Sequence, residues 1–278
     1  MKITYIHHSS FLVECSEASL LFDYVEGRLP ELNPEKPLIV FASHAHGDHF
    51  SPLIFTLRDK VKDVRFVLSS DIPRRRVPGE LAGQTLFIKP HEQITLPLSQ
   101  EQAKSQAQPA NQPQSENQPQ AGNQTQAGNR ALPTCLEVQT FDSTDQGVAF
   151  LLRVGEVLLY HAGDLNNWVW DGEPEADNEA MSARYHRELQ RIAEAVQVTG
   201  LGQIHTAFVP LDPRQERDFS LGMDDFMRMV GAKHVFPMHF WGDFEVTERF
   251  LALPCTKDYR DCIIPIHRDE EVFELEER

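Results

Sequence analysis

No apolar run in this chain comes near the roughly 18 uninterrupted residues of a membrane-spanning helix. The N-terminal stretch MKITYIHHSSFLVEC lacks a charged segment leading into an apolar one, so it reads as a first strand rather than a targeting signal. Basic residues are scarce: 26 Lys and Arg stand against 42 Asp and Glu, a formal net charge of -16. A nucleic-acid binder ordinarily carries a basic face, so this balance argues against DNA or RNA as the partner. Only four cysteines occur (Cys15, Cys135, Cys255 and Cys262), none in a CxxC pair. That fits reduced thiols in a reducing compartment rather than a disulfide framework. A cytoplasmic protein with no membrane partner is expected, and self-association into a homo-oligomer is left open.

What is present is a chain of 278 residues, 41% hydrophobic, enough for a sizeable core in one domain. Short runs rich in β-branched and aromatic residues predict strands at Lys2–Ile6, Phe11–Glu14, Leu20–Tyr24, Leu38–Ala42, Val64–Leu68 and Leu86–Ile88. Further strands are predicted at Leu136–Phe141, Val148–Val154, Val157–Tyr160, His205–Leu211, Val235–His239 and Ile263–Ile266. Ser51-Pro52 looks like a cap with proline in the first turn, opening a short helix to Arg58. Met181, Tyr185, Leu189, Ile192 and Val196 recur at spacings of three and four, which predicts a helix from about Asp177 to Val196. Shorter helices are expected near Met223–Val230 and Val246–Leu253. Strands in two batches, each closed by helices, suggest two sheets packed face to face with helices outside.

Between the batches the chemistry changes. Residues 111–129 read NQPQSE, NQPQAG, NQTQAG and a final N, a six-residue repeat with no Leu, Ile, Val or Phe. Such a segment cannot bury enough apolar area to offset its ordering entropy. Residues 1–278 are therefore expected to form a single domain, interrupted by a disordered Gln/Asn/Pro-rich insert at about 99–133.

The apolar run Leu38–Ala42 leads into SHAHGDHF, which places His44, His46, Asp48 and His49 within six positions. Alternate side chains of an extended segment share a face, so His44 and His46 can turn toward one ion. The following turn can bring Asp48 and His49 to a second. Imidazole and carboxylate donors suit zinc, manganese or iron. A solvated, histidine-rich loop is the plain alternative. Against it, Asp164 in HAGD and His239 in PMH also follow predicted strands, and loops converging on one edge of a sheet are how such folds assemble sites.

HAHGDH, HAGD and PMH in that order resemble the metallo-β-lactamase fold superfamily. The opening HHSSFLVE with FVPLDPR and VFPMHFWGD is most similar to its lactonase-like branch, typified by ascorbate-6-phosphate lactonase. The resemblance runs from Ile3 to about Trp241. It implies an α/β (α+β) fold, a four-layer αββα sandwich of two mixed β-sheets with helices on the outer faces. It implies one or two divalent ions per chain: His44 and His46 on the first, Asp48, His49 and His239 on the second, Asp164 bridging. The family usually gives the first ion a third histidine after the strand at Leu136–Phe141. This chain offers Asp142 and Asp145 there instead, and oxygen in place of nitrogen shifts preference from zinc toward manganese.

The activity implied is metal-dependent hydrolysis of a small-molecule ester, lactone or phosphoester by a metal-held hydroxide, with Asp48 or Asp164 orienting it and moving its proton. A phosphodiesterase or nuclease on the same site, and a non-catalytic metal-binding or interaction protein, are the competing readings. Weaker candidates remain. Asn166, Asn167, Trp168, Trp170 and Trp241 could wall a pocket or simply pack. On an alternating strand His7 and His8 point to opposite sides, so at most one reaches the site. His161 supports the strand turn. Arg74-Arg75-Arg76 could hold a phosphate but reads more simply as a solvated loop.

Overall fold

The computed structural model describes residues 1–98 and 135–277. The first batch of strands is β1 (Lys2–His7), β2 (Ser10–Glu14), β3 (Ser19–Phe22), β4 (Leu38–Ala42), β5 (Val64–Ser69) and β6 (Thr85–Ile88). The second is β7 (Gln93–Pro97), β8 (Cys135–Asp142), β9 (Val148–Val154), β10 (Val157–His161), β11 (Ile204–Pro210) and β12 (Ala232–Met238). A last strand, β13 (Val272–Glu274), returns to the first batch and pairs antiparallel with β1. The result is a seven-stranded sheet ordered β13-β1-β2-β3-β4-β5-β6 and a six-stranded sheet ordered β12-β11-β10-β9-β8-β7. Both are mixed: β3 through β6 run parallel, as do β10, β11 and β12, and the remaining pairs are antiparallel.

The sandwich follows from strands that are apolar on both faces. In β4, Ile39 and Phe41 enter the core between the sheets, whereas Leu38, Val40 and Ala42 enter a second cluster on the outer face. That is the two-residue alternation of an extended chain, with both sides buried. Phe22 stacks on Phe41 at 4.9 Å, and Phe41 meets Phe150 of the opposing sheet edge-on at 5.2 Å.

The outer layers differ from each other. Over the six-stranded sheet lie α1 (Glu175–Thr199) and α2 (Leu221–Met229); a shorter α3 (Val246–Leu251) follows. Tyr185, Leu189, Ile192 and Val196 of α1 are buried in the main core, each contributing on the order of 1.5–3 kcal/mol. Gly200 in the left-handed region ends α1. The seven-stranded sheet is covered by 3₁₀ turns instead. The helix expected at Ser51–Arg58 forms as one of them, Pro52–Asp59, with the Ser51 side chain accepting the Leu53 N–H. The strand expected at Ile263–Ile266 does not form; Ile263 makes a lone bridge to Val235. No helix among the described residues is long and apolar enough to cross a membrane.

The expected insert at about 99–133 lies outside the described residues. Its attachment points do not: Pro97 pairs with Cys135 at one end of the β7–β8 hairpin. The other end of β8 delivers residues 143–147 to the edge where the candidate ligands gather. Eight residues of strand separate the two ends, about 26 Å at roughly 3.3 Å each. Replacing residues 100–131 by a short glycine-serine turn should leave metal content and turnover within about twofold, an allowance for small stability changes. Loss of turnover in a shortened chain that still folds and binds metal would overturn this separation.

The candidate edge is where the C-terminal ends of β3, β4, β8, β10, β11 and β12 meet the β1–β2 hairpin. Crevices beyond the carboxyl ends of parallel strands are the usual place for sites in such sheets.

Candidate metal centre

Each ligand candidate follows a strand that is rigid because both its faces are buried. β4 delivers His44, His46, Asp48 and His49; β10 delivers Asp164; β12 delivers His239. The ligand atoms form overlapping groups, with all members of a group within 4.8 Å of one another: His44, His49 and Asp164; His44, His46 and Asp48; His46, Asp145 and Asp164; and His8, Asp48, His49 and His239. All six residues expected from the motifs are thus brought together. Of the two substitutes for the absent histidine, Asp145 joins the cluster, its Oδ2 lying 3.8 Å from His46 Nδ1. Asp142 belongs to none of these groups, and its backbone N–H donates to Glu188. It is the last residue of β8, three positions before Asp145.

Asp164 stands at the middle. Its Oδ2 is 3.3 Å from His44 Nε2, and its Oδ1 is 3.0 Å from His49 Nε2 and 3.3 Å from His239 Nε2. Burial pushes its carboxyl up, but His49, His44 and His239 outweigh that and hold it well below the ordinary range. For Asp48 burial likewise raises the carboxyl, and His8 and His49 outweigh it, leaving a net lowering. Both are carboxylates, the form that binds cations.

Two further carboxylates, passed over in the sequence, aim the imidazoles. Asp23, at the end of β3, is fully buried. It accepts the Ser43 N–H and hydroxyl, each at 2.7 Å, and His49 Nδ1–H at 2.7 Å. Asp212, after β11, accepts His239 Nδ1–H at 3.0 Å and is clamped by Arg214. Burial raises the Asp212 carboxyl; His239 and Arg214 outweigh it and bring it down to about 2. A carboxylate on Nδ1 fixes the ring so that Nε2 faces the cluster, the usual second-layer arrangement around a bound metal.

These donors suit a divalent ion. The Nε2 atoms of His8, His44 and His49 and Oδ1 of Asp164 are buried yet make no hydrogen bond. Buried polar atoms without partners are rare, and each costs about 1–3 kcal/mol. Cations among them would satisfy these atoms, since His44, His49 and Asp164 fall in one ligand group and His8 and His49 in another.

Close approach holds the frame. Gly147, at φ +74°, lies so near β4's end that an added Cβ would stand 2.0 Å from the Ser43 carbonyl oxygen and 2.5 Å from His44 Cβ. Val148 N–H donates to that same carbonyl, locking the β8–β9 turn onto the histidine loop. Non-glycine residues with positive φ gather here as well: His8, Asp23, His239 and Trp241. Strained backbone of this kind persists where function requires it.

The remaining candidates sort clearly. His8, not His7, turns inward, whereas His7 sits near Glu26 and Asp269 at the surface. His161 stacks on Phe22 and donates Nε2–H to the Ser9 carbonyl, outside every ligand group. Asn166 and Asn167 pin the loop after Asp164 to Gln215 and Asp225. Arg74 and Arg76 lie over Phe87 and Phe50, and none of the three arginines lines the cavity. That cavity, about 380 Å³, is lined by His46, Asp48, Asp145, Asp164 and His239 on its floor. Its walls are Thr144, Trp168, Trp170, Met181, Arg214 and Trp241.

The family model described as beta-lactamase superfamily domain matches residues 2–177, more than half of the chain. The chain belongs to the beta-lactamase superfamily. Among curated relatives of this superfamily member, a metal-dependent hydrolase of Desulforamulus reducens is 42% identical over 57 residues, 19% of this chain and 25% of that protein. The match thus spans about a quarter of the relative's length. Among solved structures, a metallo hydrolase from the archaeon Ignicoccus hospitalis superposes with a TM-score of 0.58 at 17% identity, over 99% of both chains. A diiron β-hydroxylase from Streptomyces venezuelae superposes at 0.55 and 12% identity, over 99% of this chain and 54% of that one. One fold therefore carries hydrolase and hydroxylase alike, and chemistry has to be argued from the site.

Proposed function

We propose that this chain is a metal-dependent hydrolase that cleaves an ester, lactone or phosphoester bond in a small molecule. The observation that carries the reading is the split of the Asp164 carboxylate, one oxygen toward His44 and the other toward His49 and His239. A bridging ligand between two ions needs that disposition. His44, His46 and Asp145 would hold one ion with Asp164; Asp48, His49 and His239 would hold the other. Nitrogen-rich donors suit zinc, and the added oxygen of Asp145 widens the choice toward manganese. A bound divalent ion supplies a water acidified from about 16 toward about 7 and a Lewis acid for the oxygen that gains charge.

The chain's own groups supply the rest. Asp48, half-exposed and lining the cavity, would face the second ion with Oδ2 and is placed to take a proton on its other oxygen and return it to the leaving oxygen. Trp168, Trp170, Met181 and Trp241 offer an apolar wall to the part of the substrate beyond the scissile bond. The Arg214 guanidinium is already engaged with Asp212 and lies 4.4 Å over the Trp241 ring. Its charge is therefore largely spent, which favours a neutral ester or lactone with an apolar flank over a highly charged substrate. A lactonase-like activity, as the motifs suggest, fits this cavity. The acidic chain argues against a nuclease.

The test is chelation followed by reconstitution with zinc, manganese or iron, assayed on aryl esters, lactones and phosphodiesters. Metal should restore turnover of an ester or lactone and raise the melting temperature. At a free ion concentration about 1,000 times Kd the stabilisation is about 4 kcal/mol, or roughly 10 °C for a protein of this size. Turnover indifferent to chelation, or a metal-loaded protein inert on all three classes, would sink the proposal.

A further inference from the structure

His8 stands where the sequence gives a ligand no reason to be. β1 ends at His7 and β2 begins at Ser10, with His7 paired to Ser10, so His8 and Ser9 form a two-residue hairpin turn. The first turn position has φ +54°. Glycine and asparagine take that conformation most cheaply, and tight hairpins favour them. The chain spends the position on an imidazole instead and then buries it: His8 is 4% exposed.

The ring faces the metal centre. Its centroid is 4.3 Å from that of His239, 4.4 Å from Trp241 and 5.7 Å from His49. Nε2 is buried, makes no hydrogen bond, and lies 3.6 Å from Asp48 Oδ2, beyond hydrogen-bond reach. The His8 carbonyl accepts the His239 N–H at 3.3 Å, tying the turn to the strand end that carries an expected ligand. One donor atom each from His8, Asp48, His49 and His239 fits within 4.8 Å of the others.

We infer that His8 Nε2 is a direct ligand of the second ion, beside Asp48, His49, His239 and Asp164. This rests on the proposed two-ion centre. It also explains an asymmetry. The first position has Asp145 where a histidine was expected, and that group is exposed. The second position gains a buried histidine from the hairpin. Three imidazoles then surround the second ion and two the first, so the second ion is the tightly held one.

The test titrates chelated protein with Co²⁺, comparing parent and His8→Asn. Each imidazole bound to Co²⁺ shows one exchangeable, paramagnetically shifted N–H signal. The parent should bind two ions and show five such signals, one each for His8, His44, His46, His49 and His239. His8→Asn should show four and bind its tighter ion about 100-fold more weakly, while the chelated variant melts no lower than the parent because asparagine suits the turn. Hairpin strain is disproved if His8→Asn fails to fold, and His8→Gly then supplies the count. Two ions with four signals in the parent, or unchanged affinity in the variant, would show that His8 is no ligand. A parent that binds no Co²⁺ would instead remove the two-ion centre itself, and His8's role with it.

Discussion

Asp164→Ala should lose both ions and lower turnover by at least about 1,000-fold, roughly 4 kcal/mol of transition-state stabilisation. The size follows from position. Among the described residues, Asp164 alone has an oxygen facing His44 and another facing His49 and His239, so its removal would strip both proposed coordination sets together. Removing His46 or Asp145 should touch one side only. Asp164→Asn refines the test, since a carboxamide keeps one good ligand oxygen and should retain about one ion. Elemental analysis and ester turnover on the same preparations decide the matter. Unchanged metal and activity in Asp164→Ala would exclude it as the bridge.

Asp23→Ala should be the most destabilising single change near the centre. The carboxylate is fully buried and holds three donors, two from Ser43 and one from His49. Breaking a buried charged pair by removing one partner typically costs about 3–5 kcal/mol. For a protein of this size that is roughly 10 °C in melting temperature, read on chelated protein so that metal does not contribute. The released His49 ring should also lower affinity for the second ion by about 10–100-fold. An acid-dependent signature follows. Burial raises the Asp23 carboxyl, but His49, His161 and Ser43 outweigh it, so the net shift is downward. A lowered carboxyl contributes stability that is fully present above its unfolded value and is lost as pH falls through its folded value. Asp23→Ala should therefore flatten the acid side of the stability curve. A variant with parental melting and parental acid sensitivity would contradict this role.

The candidate ligands that were legible share one trait: each sits in a compact motif just past an apolar run. The fold was legible for the same reason, since strands buried on both faces read as short apolar blocks. Asp23 obeys the same rule but was swallowed by it, because the predicted strand Leu20–Tyr24 ran through a residue that actually follows the end of β3. A lone acid directly after such a run was the available signal. Asp212 lay equally exposed to notice after the run at His205–Leu211. His8 failed for a different reason: alternation assigns faces only while the chain stays extended, and His8 is a turn residue with positive φ. β7 was passed over because Pro97 closes a short, mixed QITLP run, and proline is tolerated only at strand ends and edges. The 3₁₀ character of the outer layer on the seven-stranded sheet leaves no mark that distinguishes it from a short helix.

The chain has three tryptophans, and all three line the same cavity. Trp168 donates its indole N–H to the Asp164 carbonyl and meets the His239 ring edge-on at 5.4 Å; Trp170 lies parallel to it at 5.9 Å. Tryptophan emission from this protein, excited selectively beyond the tyrosine band, consequently comes from one small region. An open-shell ion held beside His239 quenches that emission, a closed-shell one leaves it bright, and an organic guest between Trp170 and Trp241 shifts its colour. The molecule carries an optical gauge of its own active cavity, readable at low concentration and without a label.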